Sequence, residues 1–192
     1  MSLRYAILGY LSTGPGTGYD LSRQFDTGLG WFWSARHSQI YPELKRLADA
    51  GLVQRHDAVA GEVFDKFVYT ITDEGRAELR QWAAAPPAYP PNRDGERLQL
   101  IFSDDDPSAL RPHLEAHLKH FRERRERLQQ TWSTMQSGQH VRVRTRIEAG
   151  SRERAEMTLK LRELAYTGDI ARAELEIEWA LAALEWLDQR ER

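Results

Sequence analysis

The chain between Arg36 and Thr72 admits few folds. Ile40, Leu44 and Leu47 recur at helical steps and form one apolar stripe, so a helix is expected over Arg36–Ala50. Gly51 follows directly, where a helix ends in the left-handed region that only glycine enters cheaply. Leu52 and Val53 begin an extended segment, Gly61 marks a turn, and Phe64–Thr72 returns as Val-, Tyr- and Thr-containing β sequence. The stretch therefore predicts a helix followed at once by a hairpin.

The flanks complete the pattern. Leu3, Ile7, Leu8 and Leu11 share one helical face, and Gly14-Pro15-Gly16-Thr17-Gly18 stops that helix. A second short helix is expected over Tyr19–Asp26, inward at Tyr19, Leu21 and Phe25 and broken by Gly28 and Gly30. Thr72-Asp73-Glu74 opens a fourth helix, reaching about Ala85, with a capping hydroxyl and two acids at the positive end of the helix dipole. Three helices, a hairpin and a helix make a winged-helix layout.

Pro86, Pro87, Pro90 and Pro91 mark a linker, because proline stops helices and favours extended chain. The expected division is a winged-helix domain at 1–85, a linker at 86–96 and a helical domain at 97–192. In the last, Arg97–Phe102 is apolar at Leu98, Leu100, Ile101 and Phe102. Asp106 and Pro107 suit the start of a long helix to about Met135, with Pro112 expected to kink its first turns. Its stripe is Leu110, Leu114, Leu118, Phe121, Leu128, Trp132 and Met135, interrupted at Arg124 and Arg125. Over 138–155, Val141, Val143 and Ile147 alternate with Arg142, Arg144 and Arg146 near the β period; a lone strand would lack a partner, so the element type stays open. The final helices run over Glu153–Arg190, with a break expected at Gly168. Ile170, Ile177, Leu181 and Leu184 form one apolar face there, and Leu175, Trp179, Ala182 and Trp186 another. Two apolar faces need cover on two sides, which a second subunit would supply. Phe121, Trp132, Trp179, Leu181, Leu184 and Trp186 are the expected dimer anchors. The expected fold class is mostly α with a small β wing: an N-terminal winged helix-turn-helix and a C-terminal α-helical dimerisation domain.

Several functions find no support in the sequence. With no cysteine among 192 residues, disulfides and thiolate metal sites are excluded. No apolar run approaches the roughly 20 residues of a membrane span. The N-terminus lacks a basic leader and a small-residue cleavage site, so a cytoplasmic protein is expected. His113, His117 and His120 share a helical face, but no acid or cysteine completes a ligand set, and no metal or cofactor is expected. The Gly-Pro-Gly-Thr-Gly run follows a helix and lacks the Gly-Lys-Ser/Thr ending of a phosphate loop, so it reads as a turn. Arg122, Arg124, Arg125 and Arg127 alternate with Glu123 and Glu126 as a salt-bridged face. No spacing joins Ser, His and Asp into a mechanism, and an enzyme is not expected.

His37-Ser38-Gln39-Ile40-Tyr41-Pro42-Glu43-Leu44-Lys45-Arg46-Leu47 followed by Gly51-Leu52-Val53 resembles the PadR family of transcriptional regulators. Gly18-Tyr19-Asp20-Leu21 is similar to that family's second-helix opening, and Val68-Tyr69-Thr70-Ile71-Thr72 with Gly75 to the end of its wing. Arg97–Phe102 and the stretch from Glu176 to Trp179 resemble the helical region of the AphA-type branch. The resemblance implies a bacterial DNA-binding homodimer on a pseudo-palindromic operator, usually a repressor, tuned by a small molecule. It implies a recognition helix in the major groove and a wing near the backbone.

On that reading Ser38 and Gln39 meet base edges, glutamine suiting adenine's paired donor and acceptor, and Pro42 presses on a thymine methyl. Arg36 and Lys45 anchor phosphates, His37 lies in the same motif, and Tyr41 either donates to a phosphate or packs in the core. Lys66 is the wing's basic residue; related wings carry a second where Phe67 stands here. Trp31, Phe32 and Trp33 form an aromatic knot that packs in the core or stacks a small aromatic effector, with Trp31 and Trp33 as its binding residues. Residues 1–85 hold nine Lys/Arg against ten Asp/Glu, so tight non-specific DNA binding is not expected. That near-neutrality keeps open a winged-helix module that binds protein; a second alternative is a sensor whose small-molecule pocket is the main function.

Overall fold

A computed structural model describes residues 3–27, 30, 32, 36–57, 67–87 and 94–190. Two compact units emerge: residues 1–89 with 141–146, and residues 90–140 with 147–192. The first holds α1 (Leu3–Leu11), β1 (Gly16–Thr17), α2 (Gly18–Thr27), α3 (His37–Asp49), β2 (Val53–Asp57), β3 (Phe67–Ile71) and α4 (Asp73–Ala84). The strands form an antiparallel sheet in the order β1-β3-β2, with Gly16 opposite Tyr69 and Val53 opposite Ile71. The glycine–proline run is thus more than a turn, because its last residues supply a third strand.

Local chemistry sets each boundary in this unit. Thr17 and Asp20 cap α2 reciprocally: the Asp20 N–H donates to Thr17 Oγ1, and the Thr17 N–H and hydroxyl donate to Asp20 Oδ2, all at 3.0 Å. Helix α3 ends in a Schellman motif, with Gly51 at φ +72°, its N–H on the Ala48 carbonyl and the Leu52 N–H on the Leu47 carbonyl at 2.9 Å. Thr72 caps α4 by accepting the Gly75 N–H at 3.1 Å. Around these ends Ile7, Leu8, Leu11, Leu21, Ile40, Leu44, Leu47, Leu52 and Val53 close into one buried core. Each such aliphatic side chain, fully buried, contributes about 1.5–3 kcal/mol.

The second unit contains α5 (Gly95–Ile101), a 3-10 turn (Pro107–Leu110), α6 (Arg111–Gln136) and α8 (Arg152–Arg190). Asp94 caps α5 through the Arg97 N–H, so helix begins inside the span read as linker. That N–H, with the Arg97 guanidinium, holds the Asp94 carboxyl below its ordinary pKa. Pro112 is the second residue of α6, where a missing N–H breaks no helical bond, and the change of helix type falls just before it. The expected stripe faces inward: Leu110, Leu114, Leu118, Leu128 and Met135 are buried. The interruption at Arg124 is filled by an ion pair with Asp169 of α8. Helix α8 runs unbroken through Gly168 for 39 residues, about 58 Å at 1.5 Å per residue.

Residues 141–148 settle the segment left open by the sequence. They form helix α7 (Val141–Glu148). A helix closes its own backbone hydrogen bonds, whereas an isolated strand would leave a full row unmet. The three histidines of α6 divide in the structure. His117 turns inward, its Nε2 3.3 Å from Glu176 and its ring against Phe121 and Trp179, while His113 and His120 stay exposed. Arg97 bonds Glu176 at 2.8 Å and stacks over Trp179.

Gly51 and Gly75 separate two costs of adding a methyl group. A Cβ on Gly51 meets open space, so Gly51→Ala carries only the left-handed penalty of about 1–2 kcal/mol. A Cβ on Gly75 would come 2.1 Å from the Leu52 carbonyl oxygen, within the backbone. In thermal denaturation Gly51→Ala is expected to lower Tm by roughly 2–8 °C, and Gly75→Ala by more.

Candidate nucleic-acid interface

Helix α3 turns Ile40, Leu44 and Leu47 into the core, and that fixes what it presents outward. Ser38, Tyr41, Pro42, Lys45 and Asp49 then fall within about 100° of arc on the opposite side, at 3.6 residues per turn. All five are exposed. Arg36 and His37 are exposed at the helix start, and Arg46 is held at 3.0 Å by Glu43. The arc offers a hydroxyl, a phenol, a pyrrolidine ring and an ammonium group, which suit groove edges and phosphates, with the Asp49 carboxylate at its far end.

Gln39 has a task that its sequence position did not reveal. Its Oε1 accepts the Arg36 N–H at 3.0 Å, and its own N–H donates to the Arg36 carbonyl at 2.8 Å. The side chain is folded back to cap the start of α3. Tyr41 is intermediate between the two readings given to it. It is 43% exposed, yet its ring lies so close over Gly18 that a Cβ there would come 2.4 Å from Cε1. The second-helix opening thus needs glycine to let the third helix approach.

Lys66, Trp31 and Trp33 lie outside the described residues. The wing nonetheless shows a cation that sequence reasoning passed over. Arg55, exposed on β2, places its guanidinium 4.3 Å from the centre of the Phe67 ring. The aromatic residue standing where related wings carry a base is therefore itself a platform for one. The signal lay in strand register, since Arg55 opposes Tyr69 and Asp57 opposes Phe67, setting Arg55 and Phe67 diagonally across the pair.

Among the expected dimer anchors, four pack within the helical unit. Trp179 and Leu184 join Leu110, Leu114 and Leu187, Phe121 joins Leu118 and Ile177, and Trp132 stacks on Tyr166. Leu181 and Trp186 stay exposed, and with them Met157, Leu161, Leu164 and Leu175 on the same helix. The two apolar faces of α8 thus divide between residues packed against α6 and residues left exposed.

Three helices, a short third strand and a two-stranded wing define a winged helix-turn-helix protein with an appended helical region. Residues 7–81 match the transcriptional regulator PadR-like family. It is 50% identical over 80 residues to the negative transcriptional regulator PadR of Bacillus subtilis, a stretch that is 42% of this chain and 44% of that one. It is 41% identical over 111 residues to a probable transcriptional regulator of Mycobacterium tuberculosis, covering 58% of each. The matches thus span about half the length of these curated relatives. In structure it resembles Bacillus subtilis PadR solved with operator DNA, at TM-score 0.72 and 28% identity over 96% of this chain and 98% of that one. The same protein solved with p-coumaric acid gives 0.70 at 28% identity, over 97% and 98%. The Vibrio cholerae virulence activator AphA gives 0.68 at 26% identity, over 98% and 99%.

The two tasks open to Gln39 are separable. Gln39→Glu keeps an acceptor for the Arg36 N–H but presents a carboxylate in place of an amide. It is expected to hold Tm while shifting base preference at one operator position, by about 1–3 kcal/mol. Gln39→Ala is expected to lose about 0.5–2 kcal/mol of stability as well. Thermal denaturation and binding to single-base operator variants, read side by side, check both.

Proposed function

We propose that the protein is a transcriptional regulator that binds double-stranded operator DNA as a homodimer, with repression as its outcome. The carrying observation is the exposed arc of α3, set directly opposite the buried Ile40, Leu44 and Leu47. Residues 1–85 read the DNA, 86–96 link, and 97–192 dimerise. Ser38, Tyr41, Pro42 and Lys45 face the major groove, Arg36 and His37 meet it at the helix start, and Gln39 orients that start through its cap. Lys66 and Arg55 serve the wing. The operator complex of the Bacillus subtilis relative supports this reading, as does that relative's designation as a negative regulator.

A small aromatic effector fits the same scheme. The structural relative was solved with p-coumaric acid, an aromatic acid. Trp31 and Trp33 remain the proposed stacking residues. The helical unit also holds an open cavity of about 420 Å³, lined by Leu100, Leu110, Leu114, Trp186, Leu187 and Arg190, within the size range of small-ligand pockets. No helix among the described residues is long and apolar enough to cross a membrane.

Selection of bound duplexes from a random DNA library at two salt concentrations tests the function. The expected result is an enriched pseudo-palindrome whose half-sites are about one helical turn apart, roughly 34–36 Å, or a multiple of it. The near-neutral N-terminal charge predicts a shallow loss of affinity with salt. Failure to enrich any sequence, with and without p-coumaric acid, would turn the reading toward a protein-binding winged helix. For the dimer, exposed Leu161, Leu164 and Leu175 carry the prediction. Leu164→Arg with Leu175→Arg is expected to give a folded monomer in sedimentation velocity; an unchanged dimer would remove this stripe from the interface.

A further inference from the structure

Pro42 is the sixth residue of α3, and the helix continues past it to Asp49. The other helical prolines among the described residues sit at helix starts: Pro107 opens the 3-10 turn and Pro112 is second in α6. There a missing N–H breaks no helical bond. At the sixth position it does, because the Ser38 carbonyl finds no N–H four residues on. A helical carbonyl lies between its own residue and the one four ahead, which stand about 40° apart around the axis. Ser38 and Pro42 are both exposed, on the arc opposite the buried Ile40, Leu44 and Leu47. The unmet carbonyl therefore opens between them, on the face proposed to read DNA.

The chemistry of that face gives the carbonyl a partner. Base edges in the major groove offer one kind of donor, the exocyclic amine of adenine or cytosine. Gln39 would meet an adenine amine with its side-chain oxygen, but Oε1 already accepts the Arg36 N–H at 3.0 Å. Lys45 can only donate. Asp49 is eleven residues from Ser38, about 16 Å along the axis. The hydroxyls of Ser38 and Tyr41 accept and donate alike, so they tell a donor from an acceptor poorly. The Ser38 carbonyl can only accept. Its direction is set by the main chain of a helix whose rotation is fixed by the core, and it costs no side-chain freedom to hold.

We propose that Pro42 acts through the Ser38 carbonyl, presenting a main-chain acceptor that selects an exocyclic amine at one operator position. Pro42 is then a positioning residue for specificity. An intact helix hides its carbonyls in its own ladder, and a proline on the reading face uncovers one. The inference rests on the operator-reading role of α3 proposed above and names the atom that does part of the reading.

The experiment measures binding of the full chain to the selected operator and to duplexes in which one base at a time lacks its amine. Purine replaces adenine, and 2-pyrimidinone replaces cytosine. Four proteins are compared: wild type, Pro42→Ala, Ser38→Ala, and a protein with lactic acid at position 42, which has the methyl group of alanine but an ester oxygen in place of the N–H. Wild type is expected to lose roughly tenfold in affinity on removal of one particular amine. Pro42→Ala regains a helical hydrogen bond, so it should fold with a raised Tm and lose most of that sensitivity. The lactic acid protein lacks both ring and N–H and should keep it. Ser38→Ala should keep it too. Wild type that binds the operator yet ignores every amine removal would overturn the proposal, as would undiminished sensitivity in Pro42→Ala. Sensitivity lost in the lactic acid protein would assign the effect to the proline ring, and sensitivity lost in Ser38→Ala to the hydroxyl; either overturns it. Wild type that binds no duplex would instead sink the operator reading itself.

Discussion

The burial of Ile40, Leu44 and Leu47 against the residues of α1 is the contact on which the reading surface depends. A helix of 3.6 residues per turn has no independent choice of outer face once its inner one is fixed. Ser38, Tyr41, Pro42 and Lys45 point outward because those three aliphatic side chains cannot. The ends of α3 are secured separately, by Gln39 at the start and by Gly51 at the finish. The core sets the rotation of the helix and its caps set its length, so the polar arc is held on three counts without spending any of its own side chains.

Pro42 breaks the local consistency of that helix. At the sixth position it has no N–H for the Ser38 carbonyl, a fault that in an ordinary helix interior costs on the order of 3 kcal/mol. Sequences tend to break such rules where function asks for it. The ring lies on the exposed arc, and the carbonyl it leaves unbonded within the helix belongs to Ser38, on the same arc. The defect and the proposed reading surface coincide, which a purely structural role for Pro42 would not require.

Much of the N-terminal unit was legible in the sequence because each boundary there is written by one residue with one physical job: Gly51 for the left-handed turn, Thr72 for the cap, Ile40 to Leu47 for the buried stripe. What escaped were features made by residues far apart. Strand β1 is two residues long, too short for any periodicity, and exists only because β3 offers it an edge. Arg55 stacks on Phe67 through cross-strand register, and Arg142 reaches a turn more than 120 residues earlier. The alternation of Val and Arg over 141–147 imitates a strand because a short helix with Val143 buried and Arg142 and Arg146 four apart contains the same letters. In α8 the apolar steps were visible, but which face stays within the chain depended on where α6 lies, and no local pattern carries that.

Charge links these observations. A winged helix with nine basic and ten acidic residues in its first 85 gains little from bulk phosphate attraction. Part of that acidity is already committed inside the fold, with Glu78 held by Arg4 and Tyr5, and Asp20 by Thr17. A weak single contact can still yield tight, specific binding if two such units act together, because the second contact then gains from effective concentration. That gain is largest when the separation of the two units matches the separation of their sites. A winged helix of this charge therefore depends more on acting together with a second one than a strongly basic one would.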